Sequence, residues 1–209
     1  MFQGDSITDC GRERSDIKAL GSGYPKYVRQ YLKECYPQIE FELINKGISG
    51  HQTKDLLARW QKDAVDLQPD VISILVGVND TWHHTEAKDW VPNDLFEANY
   101  RSMLEDIKDK TSAKIIMLEP FVLDFPEMKC FHNDIDEKIQ IVRRLAAAYA
   151  DRYIPLDGLF AAACVSDPPS HWTVEGVHPT DEGHKLIADY YFDAISDIIE
   201  ENFITYENI

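Results

Sequence analysis

The stretch at positions 71–76, with the sequence VISILV, is apolar at every position but one. A short run of this kind, without polar alternation, is typical of a strand that is buried on both faces in the middle of a parallel sheet. Parallel strands must be joined by long crossovers, which are usually helices. A chain that contains this strand is therefore expected to alternate strands with helices along its length.

The rest of the chain has that alternation. Further short apolar runs, which we predict to be strands, lie at 1–3, 39–45, 113–118 and 153–156. Between the strands, apolar residues recur at helical spacing in segments that begin near Tyr24, Thr53, Phe96, Ile135 and Thr180. We predict an α/β fold, a three-layer α/β/α sandwich in which helices cover both faces of a five-stranded parallel sheet.

The length and composition fit one domain. The chain has 209 residues, of which 44% are hydrophobic, and this is enough for one sizeable core. We predict a single domain over residues 1–209. Its first strand has only Met1-Phe2-Gln3 ahead of Gly4, whereas a typical strand has about five residues. Either this strand is shortened at the N-terminus or the natural start lies upstream.

The net charge limits the classes of partner. A formal charge of −16 repels nucleic-acid backbones and anionic membranes, so we expect neither as a partner. A small neutral molecule is compatible with this charge. The four cysteines form no C-x-x-C pair and suit a reducing compartment. No signal-peptide pattern opens the chain and no apolar run approaches about 18 residues, so we predict a cytoplasmic protein.

Polar and glycine-containing turns follow the predicted strands, and their residues suit acyl transfer. Ser6, in Gly4-Asp5-Ser6, is a candidate nucleophile, although a lone Gly-Asp-Ser is more often an ordinary capped turn. His178 is the candidate base, and Glu175 is the candidate carboxylate that orients it. The backbone N–H groups of Ser6 and Gly47 and the side-chain amide of Asn79 are candidate oxyanion donors.

In this order and spacing, the four segments resemble the blocks of the SGNH (GDSL-type) hydrolase family. The matching segments are Gly-Asp-Ser-Ile-Thr at 4–8, the glycine at 47, Gly-Val-Asn-Asp at 77–80 and Val-His-Pro at 177–179. The resemblance extends over essentially the whole chain. It implies a flavodoxin-like sandwich with Ser6 as nucleophile, His178 as base, and Gly47 and Asn79 in the oxyanion hole.

Within that family, the chain has a closer resemblance to bacterial acetylxylan esterases. The shared runs are Gly-Asp-Ser-Ile-Thr-Asp-Cys-Gly-Arg at 4–12, Ala-Leu-Gly-x-Gly-Tyr at 19–24 and Asn-Lys-Gly-Ile-Ser-Gly at 45–50, with a tryptophan, Trp82, soon after the asparagine block. This likeness implies removal of acetyl groups from xylo-oligosaccharides or related sugars. The alternatives are a lysophospholipase or thioesterase of the same fold, and a binding protein with a decayed triad.

One residue departs from the family pattern. The family usually has aspartate three positions before the histidine, and this chain has Glu175 there. Glutamate orients the histidine in some serine hydrolases, but it is longer by one methylene. Asp181 or Asp167 is an alternative orienting group, backbone carbonyls are another, and weakened catalysis is a third outcome.

Three further residues are candidates for contact with substrate. Trp82 has an aromatic face suited to a sugar ring, or else it packs beside the pocket. Trp172 either walls the acyl pocket or packs under the last loop, and Asp5 either orients the active-site turn or caps a helix. The adjacent pair His83-His84 lacks a nearby ligand partner, so we predict no metal site and no cofactor. The sequence leaves the formation of a homo-oligomer open.

Overall fold

The computed structural model describes residues 1–203. Its strands are Phe2–Gly4 (β1), Val71–Leu75 (β2), Lys114–Leu118 (β3) and Arg152–Ile154 (β4). Its helices are Ser6–Asp9 (α1), Tyr24–Cys35 (α2), Thr53–Asp63 (α3), Val78–Trp82 (α4), Asn93–Lys110 (α5), His132–Tyr149 (α6), Leu156–Ala163 (α7), Pro169–Trp172 (α8) and Asp181–Asn202 (α9). Short 3₁₀ helices lie at Val65–Leu67 and Pro126–Phe131. The predicted domain over 1–209 includes residues 204–209, which lie outside the described part.

The sheet is parallel throughout, with the strands in the order β1-β2-β3-β4. Alternate residues of each strand point into two separate cores. Ile72 and Ile74 of β2 join the core beneath α3 and α5, whereas Leu75 joins the core that contains α2 and α9. The arrangement confirms the predicted α/β fold with helices on both faces. The carboxyl ends of all four strands lie along one edge of the sheet.

The expected five-stranded sheet is not found, because the 39–45 segment forms no strand among the described residues. It makes one parallel bridge, between Asn45 and Phe2. The Phe2 N–H donates to Ile44 O at 2.8 Å, and the Lys46 N–H donates to Phe2 O at 2.8 Å. The neighbouring strand β1 begins at Phe2, so the earlier residues of the segment have no strand opposite them. The pairing is therefore limited to one position.

The ends of the long helices follow local sequence rules. Thr180 caps α9 by accepting a hydrogen bond from Gly183 N, and Pro25 lies in the first turn of α2. Gln52 is the cap of α3, in a reciprocal pair with Asp55. Within residues 1–203, none of the helices is both long enough and apolar enough to cross a membrane.

Candidate active site

Ser6 is the first residue of α1, immediately beyond the end of β1. Gly4 is required at the end of that strand, because a Cβ there would overlap Thr8 and the carbonyl oxygen of Leu75. Asp5 caps the helix, with its Oδ1 accepting the Ile7 N–H at 3.1 Å. The tight turn from strand to helix therefore presents Ser6 at the edge of the sheet, with its side chain only partly buried.

Ser6, His178 and Glu175 form a continuous hydrogen-bonded chain. The Ser6 Oγ lies 2.9 Å from His178 Nε2, and His178 Nδ1 lies 2.6 Å from Glu175 Oε1. Because a carboxylate only accepts hydrogen bonds, its contact fixes the proton of the neutral ring on Nδ1. The lone pair of Nε2 then faces the serine hydroxyl, as removal of the serine proton requires.

The turn that carries Glu175 explains how the longer side chain fits. Gly176 has φ of +103°, a conformation that favours glycine, and this bends the chain sharply between Glu175 and His178. The turn is held in place by hydrogen bonds from Gly176 N to Thr173 Oγ1 and from Leu123 N to Gly176 O. Glu175 Oε1 also accepts the backbone N–H of His178 at 3.0 Å. One carboxylate oxygen thus fixes both the backbone and the ring of His178.

The alternative orienting carboxylates have other locations. Asp181 starts α9 and accepts hydrogen bonds from Tyr27 and Lys185. The Lys185 hydrogen bond, followed by that of Tyr27, lowers the pKa of Asp181. Asp167 follows α7 in the turn whose backbone N–H groups bond back to Ala163. Among the described residues, the carboxylate in contact with His178 is that of Glu175.

Two of the three predicted oxyanion donors are free to face a substrate. The Ser6 N–H, at the open start of α1, has no acceptor in the described part of the chain. Asn79 lies in the first turn of α4, and its Nδ2 donates one hydrogen to His51 O at 3.1 Å. The amide group carries two hydrogens, so one remains for another acceptor.

The third predicted donor, Gly47, is engaged elsewhere. Its N–H donates to Asn45 Oδ1 at 2.8 Å, in a buried position. The prediction that this N–H faces the oxyanion is therefore wrong in this geometry. Gly47 has a packing role instead, because a Cβ there would overlap the backbone of Thr8 and Asp9.

Gly50, three residues later in the same turn, has the free backbone donor that Gly47 lacks. Within residues 1–203 its N–H has no acceptor, and its φ is +82°. The turn is anchored beside the nucleophile by the Ile48 N–H, which donates to Gly4 O at 3.1 Å. The sequence signal for Gly50 is that the turn contains two glycines, and the prediction names the first of them.

Asp9 fastens this turn to the nucleophile helix, a role that the sequence analysis missed. Its Oδ2 accepts the Ser49 N–H at 2.9 Å, the Ser49 hydroxyl at 2.8 Å and Arg14 Nη2 at 2.5 Å. Burial alone would raise the pKa of Asp9, but the hydrogen bonds from Arg14 and Ser49 outweigh it and lower the pKa. Arg12 completes the connection by donating to Gly47 O at 2.9 Å.

The predicted substrate-binding residues have three different environments. Trp82 is half-buried, and its ring centroid lies 5.5 Å from that of His178. Trp172 ends α8, which packs against the start of α9. Asp5 is fully buried as a helix cap, so the prediction that it contacts substrate is wrong. Within the described residues, Trp82 is the one of the three whose ring packs against a triad side chain.

Comparison with known proteins agrees with this geometry. The model of the GDSL-like lipase/acylhydrolase family matches residues 2–186. The chain belongs to this family.

Two relatives of this GDSL-like chain extend over nearly its whole length. An acetylxylan esterase from Geobacillus stearothermophilus is 33% identical over 196 residues, covering 90% of this chain and 89% of the relative. Its crystal structure superposes with a TM-score of 0.85 at 32% identity, covering 93% of this chain and 92% of the other. A protein described as a GDSL-like lipase from Parabacteroides merdae has a TM-score of 0.88 at 34% identity, covering 93% and 94% of the two chains.

The family relationship also bears on Glu175. Catalytic mutants of the Geobacillus enzyme replace a serine, an aspartate and a histidine, and the aspartate lies three positions before the histidine. In this GDSL-like chain the same spacing separates Glu175 from His178, and their side chains are 2.6 Å apart. Glu175 therefore has the same spacing from its histidine as the aspartate of the Geobacillus enzyme.

Proposed function

We propose that the protein is a serine esterase that removes acetyl groups from acetylated carbohydrates such as xylo-oligosaccharides, through an acyl-enzyme on Ser6. The observation that carries the proposal is the hydrogen-bonded chain from Ser6 through His178 to Glu175, at 2.9 and 2.6 Å. The reaction requires no cofactor, because the nucleophile, the base and the oxyanion donors all belong to this chain.

In the first half of the reaction, Ser6 Oγ attacks the acetyl carbonyl carbon while His178 Nε2 takes the serine proton. The carbonyl oxygen becomes an oxyanion that accepts hydrogen bonds from the N–H groups of Ser6 and Gly50 and from Asn79 Nδ2. Collapse of the tetrahedral intermediate breaks the bond to the sugar oxygen, and His178 returns the proton to that oxygen. The sugar leaves as an alcohol and the acetyl group stays on Ser6.

In the second half, water replaces the sugar. His178 takes a proton from the water as the oxygen attacks the acetyl-serine, and the same donors stabilise the second oxyanion. Return of the proton to Ser6 Oγ releases acetate and restores the enzyme. Glu175 stays ionised throughout and stabilises the imidazolium that forms twice in each cycle.

Three observations support a carbohydrate as the leaving group. The acetylxylan esterase from Geobacillus is similar over 90% of this chain. In addition, His178 must reach the leaving oxygen, and the half-exposed ring of Trp82 lies beside His178. An aromatic face at that place suits the apolar C–H face of a pyranose ring. The following residues, 83–90, are largely polar and exposed, which suits a sugar better than a long acyl chain.

The proposal is tested by measuring acetate release from acetylated xylo-oligosaccharides, alongside p-nitrophenyl acetate and p-nitrophenyl palmitate. We expect turnover of the sugar and the short ester but little of the long ester. Ser6→Ala should abolish turnover, whereas Ser112→Ala, at an exposed serine outside the site, should leave it unchanged. Preference for palmitate would favour the lysophospholipase or thioesterase alternative. Absence of Ser6-dependent turnover on every ester would favour a binding protein.

A further inference from the structure

A lysine and an aspartate are buried together in α6, beneath the helix that carries Asn79. The side chain of Lys138 is 0% exposed and that of Asp134 is 8% exposed. The Lys138 Nζ lies 2.6 Å from each carboxylate oxygen of Asp134. Burial of an ion pair carries a desolvation penalty that commonly offsets the attraction between the charges, so such a pair is weak evidence for added stability. The other hydrogen bonds of Lys138 and Asp134 indicate the role of the pair.

Those hydrogen bonds hold both ends of the connection between α4 and α5. The Thr81 hydroxyl donates to Asp134 Oδ2 at 2.6 Å, which fixes the end of α4. Lys138 Nζ donates to Val91 O at 3.0 Å and lies 3.4 Å from Asn93 Oδ1, which fixes the start of α5. The three ammonium donors of Lys138 are thus directed at Asp134, Val91 and Asn93.

The part of α4 that is fixed in this way carries site residues on either side of Thr81. Asn79, two residues earlier, has its amide beside the turn that contains Gly50 and His51. Trp82, the next residue, packs against the ring of His178 and against Phe131 at ring-centroid distances of 5.5 Å. A shift of α4 would therefore move an oxyanion donor and the neighbour of the catalytic base at the same time.

We propose that Lys138 and Asp134 are positioning residues for the reaction, acting through Thr81 to hold Asn79 and Trp82 in register with Ser6 and His178. This rests on the proposed esterase function. A misplacement of about 1 Å in a catalytic group lowers rates by up to about 100-fold. The pair touches no reacting atom, so its loss should lower kcat while KM changes little.

The test uses Thr81, because Thr81→Val removes one hydroxyl and leaves the ion pair in place. With p-nitrophenyl acetate at 25 °C, we expect Thr81→Val to lower kcat about tenfold with KM within about threefold of wild type. Thr81→Ser, which restores the hydroxyl, should return kcat to within about twofold. Thr111→Val is the matched control, because its hydroxyl donates to Ile107 O at the far end of α5.

Two further measurements separate positioning from stability. In a double-mutant cycle with Trp82→Ala, the effects on kcat should be non-additive if Thr81 acts through its neighbour. The charge-free double variant Asp134→Leu/Lys138→Met should fold, as judged by circular dichroism and a cooperative thermal transition, yet have the low kcat of Thr81→Val.

The outcomes decide between the two proposals. A wild-type kcat in folded Thr81→Val, or a loss that Thr81→Ser does not restore, would overturn the positioning role. If the double variant does not fold, the Thr81 series and its double-mutant cycle decide alone. If the wild-type protein shows no Ser6-dependent turnover, the proposed function has failed, a result that is distinct from an active enzyme that is indifferent to Thr81.

Discussion

Replacement of Glu175 by glutamine tests the least expected part of the candidate site. The change keeps the size of the side chain and removes the charge that faces His178 Nδ1 across 2.6 Å. Two effects follow: the imidazolium loses its counter-charge, and a glutamine NH₂ turned toward Nδ1 would favour the tautomer with the proton on Nε2. In that tautomer Nε2 cannot accept the serine proton.

The structure sets the size of the effect. In serine proteases with a buried aspartate, the corresponding amide lowers kcat by about 10⁴-fold. Here the Glu175 side chain is 31% exposed and that of His178 is 44% exposed, so water screens part of the interaction. We expect a loss of about 10²–10³-fold at pH 7.5, which corresponds to about 3–4 kcal/mol of transition-state stabilisation.

The assay is kcat and KM for p-nitrophenyl acetate, with a thermal melt of each variant. Glu182→Gln makes the same chemical change at an exposed site in the first turn of α9 and should leave kcat unchanged. Glu175→Asp should retain more activity than Glu175→Gln. If Glu175→Gln stays within about threefold of wild type while Asp181→Asn or Asp167→Asn loses activity, the orienting carboxylate has been assigned wrongly.

Two further predictions concern a buried carboxyl group and the packing of a glycine. Burial raises the pKa of the Asp5 carboxyl group to about 7, so the stabilising contribution of the protonated carboxyl is lost as pH rises through about 7. Between pH 5.5 and 8.5, the free energy of unfolding of the wild type in urea should fall by about 2 kcal/mol relative to that of Asp5→Asn. An equal pH dependence of the two proteins would refute this. Gly47→Ala should lower the melting temperature, because its Cβ would overlap the backbone of Thr8 and Asp9; an unchanged melt would show that the turn relaxes.

The sequence was sufficient for the features that depend on local pattern. The apolar run at 71–76 forms a central strand, β2, and the last helix, α9, begins beside Thr180, as predicted. The 39–45 segment has a strand-like pattern as well, but strand formation also requires a partner of matching length. Its neighbour β1 supplies only Phe2 as a partner. Whether the 39–45 segment joins the sheet therefore depends on β1, which is distant in the sequence, and the periodicity of the segment itself carries no information about that partner.

The candidate site likewise has residues that could be predicted from the sequence and residues that could not. Ser6 and Asn79 could be chosen because each is a distinctive polar residue after a predicted strand, and His178 because it lies in the turn before the last predicted helix. The oxyanion donor of the glycine turn could not be chosen from the sequence, because the direction of a backbone N–H depends on the dihedral angles around it and on the nearest acceptor. That acceptor is Asn45 for Gly47, whereas Gly50 has none in the described residues. Likewise, Lys138 resembles an ordinary helix lysine until the fold places it under α4.

Glu175 and Gly176 are best understood as one unit. A glutamate carboxylate extends about one methylene further than that of an aspartate, so the backbone must leave room for it beside the imidazole of His178. The left-handed conformation of Gly176, with φ of +103°, turns the chain so that Glu175 Oε1 meets both the N–H and the Nδ1 of His178. A residue with a Cβ at 176 would be strained and would press on Leu123 O and Met128. Gly176→Ala should therefore reduce kcat toward the level of Glu175→Gln, although it leaves every triad side chain in place.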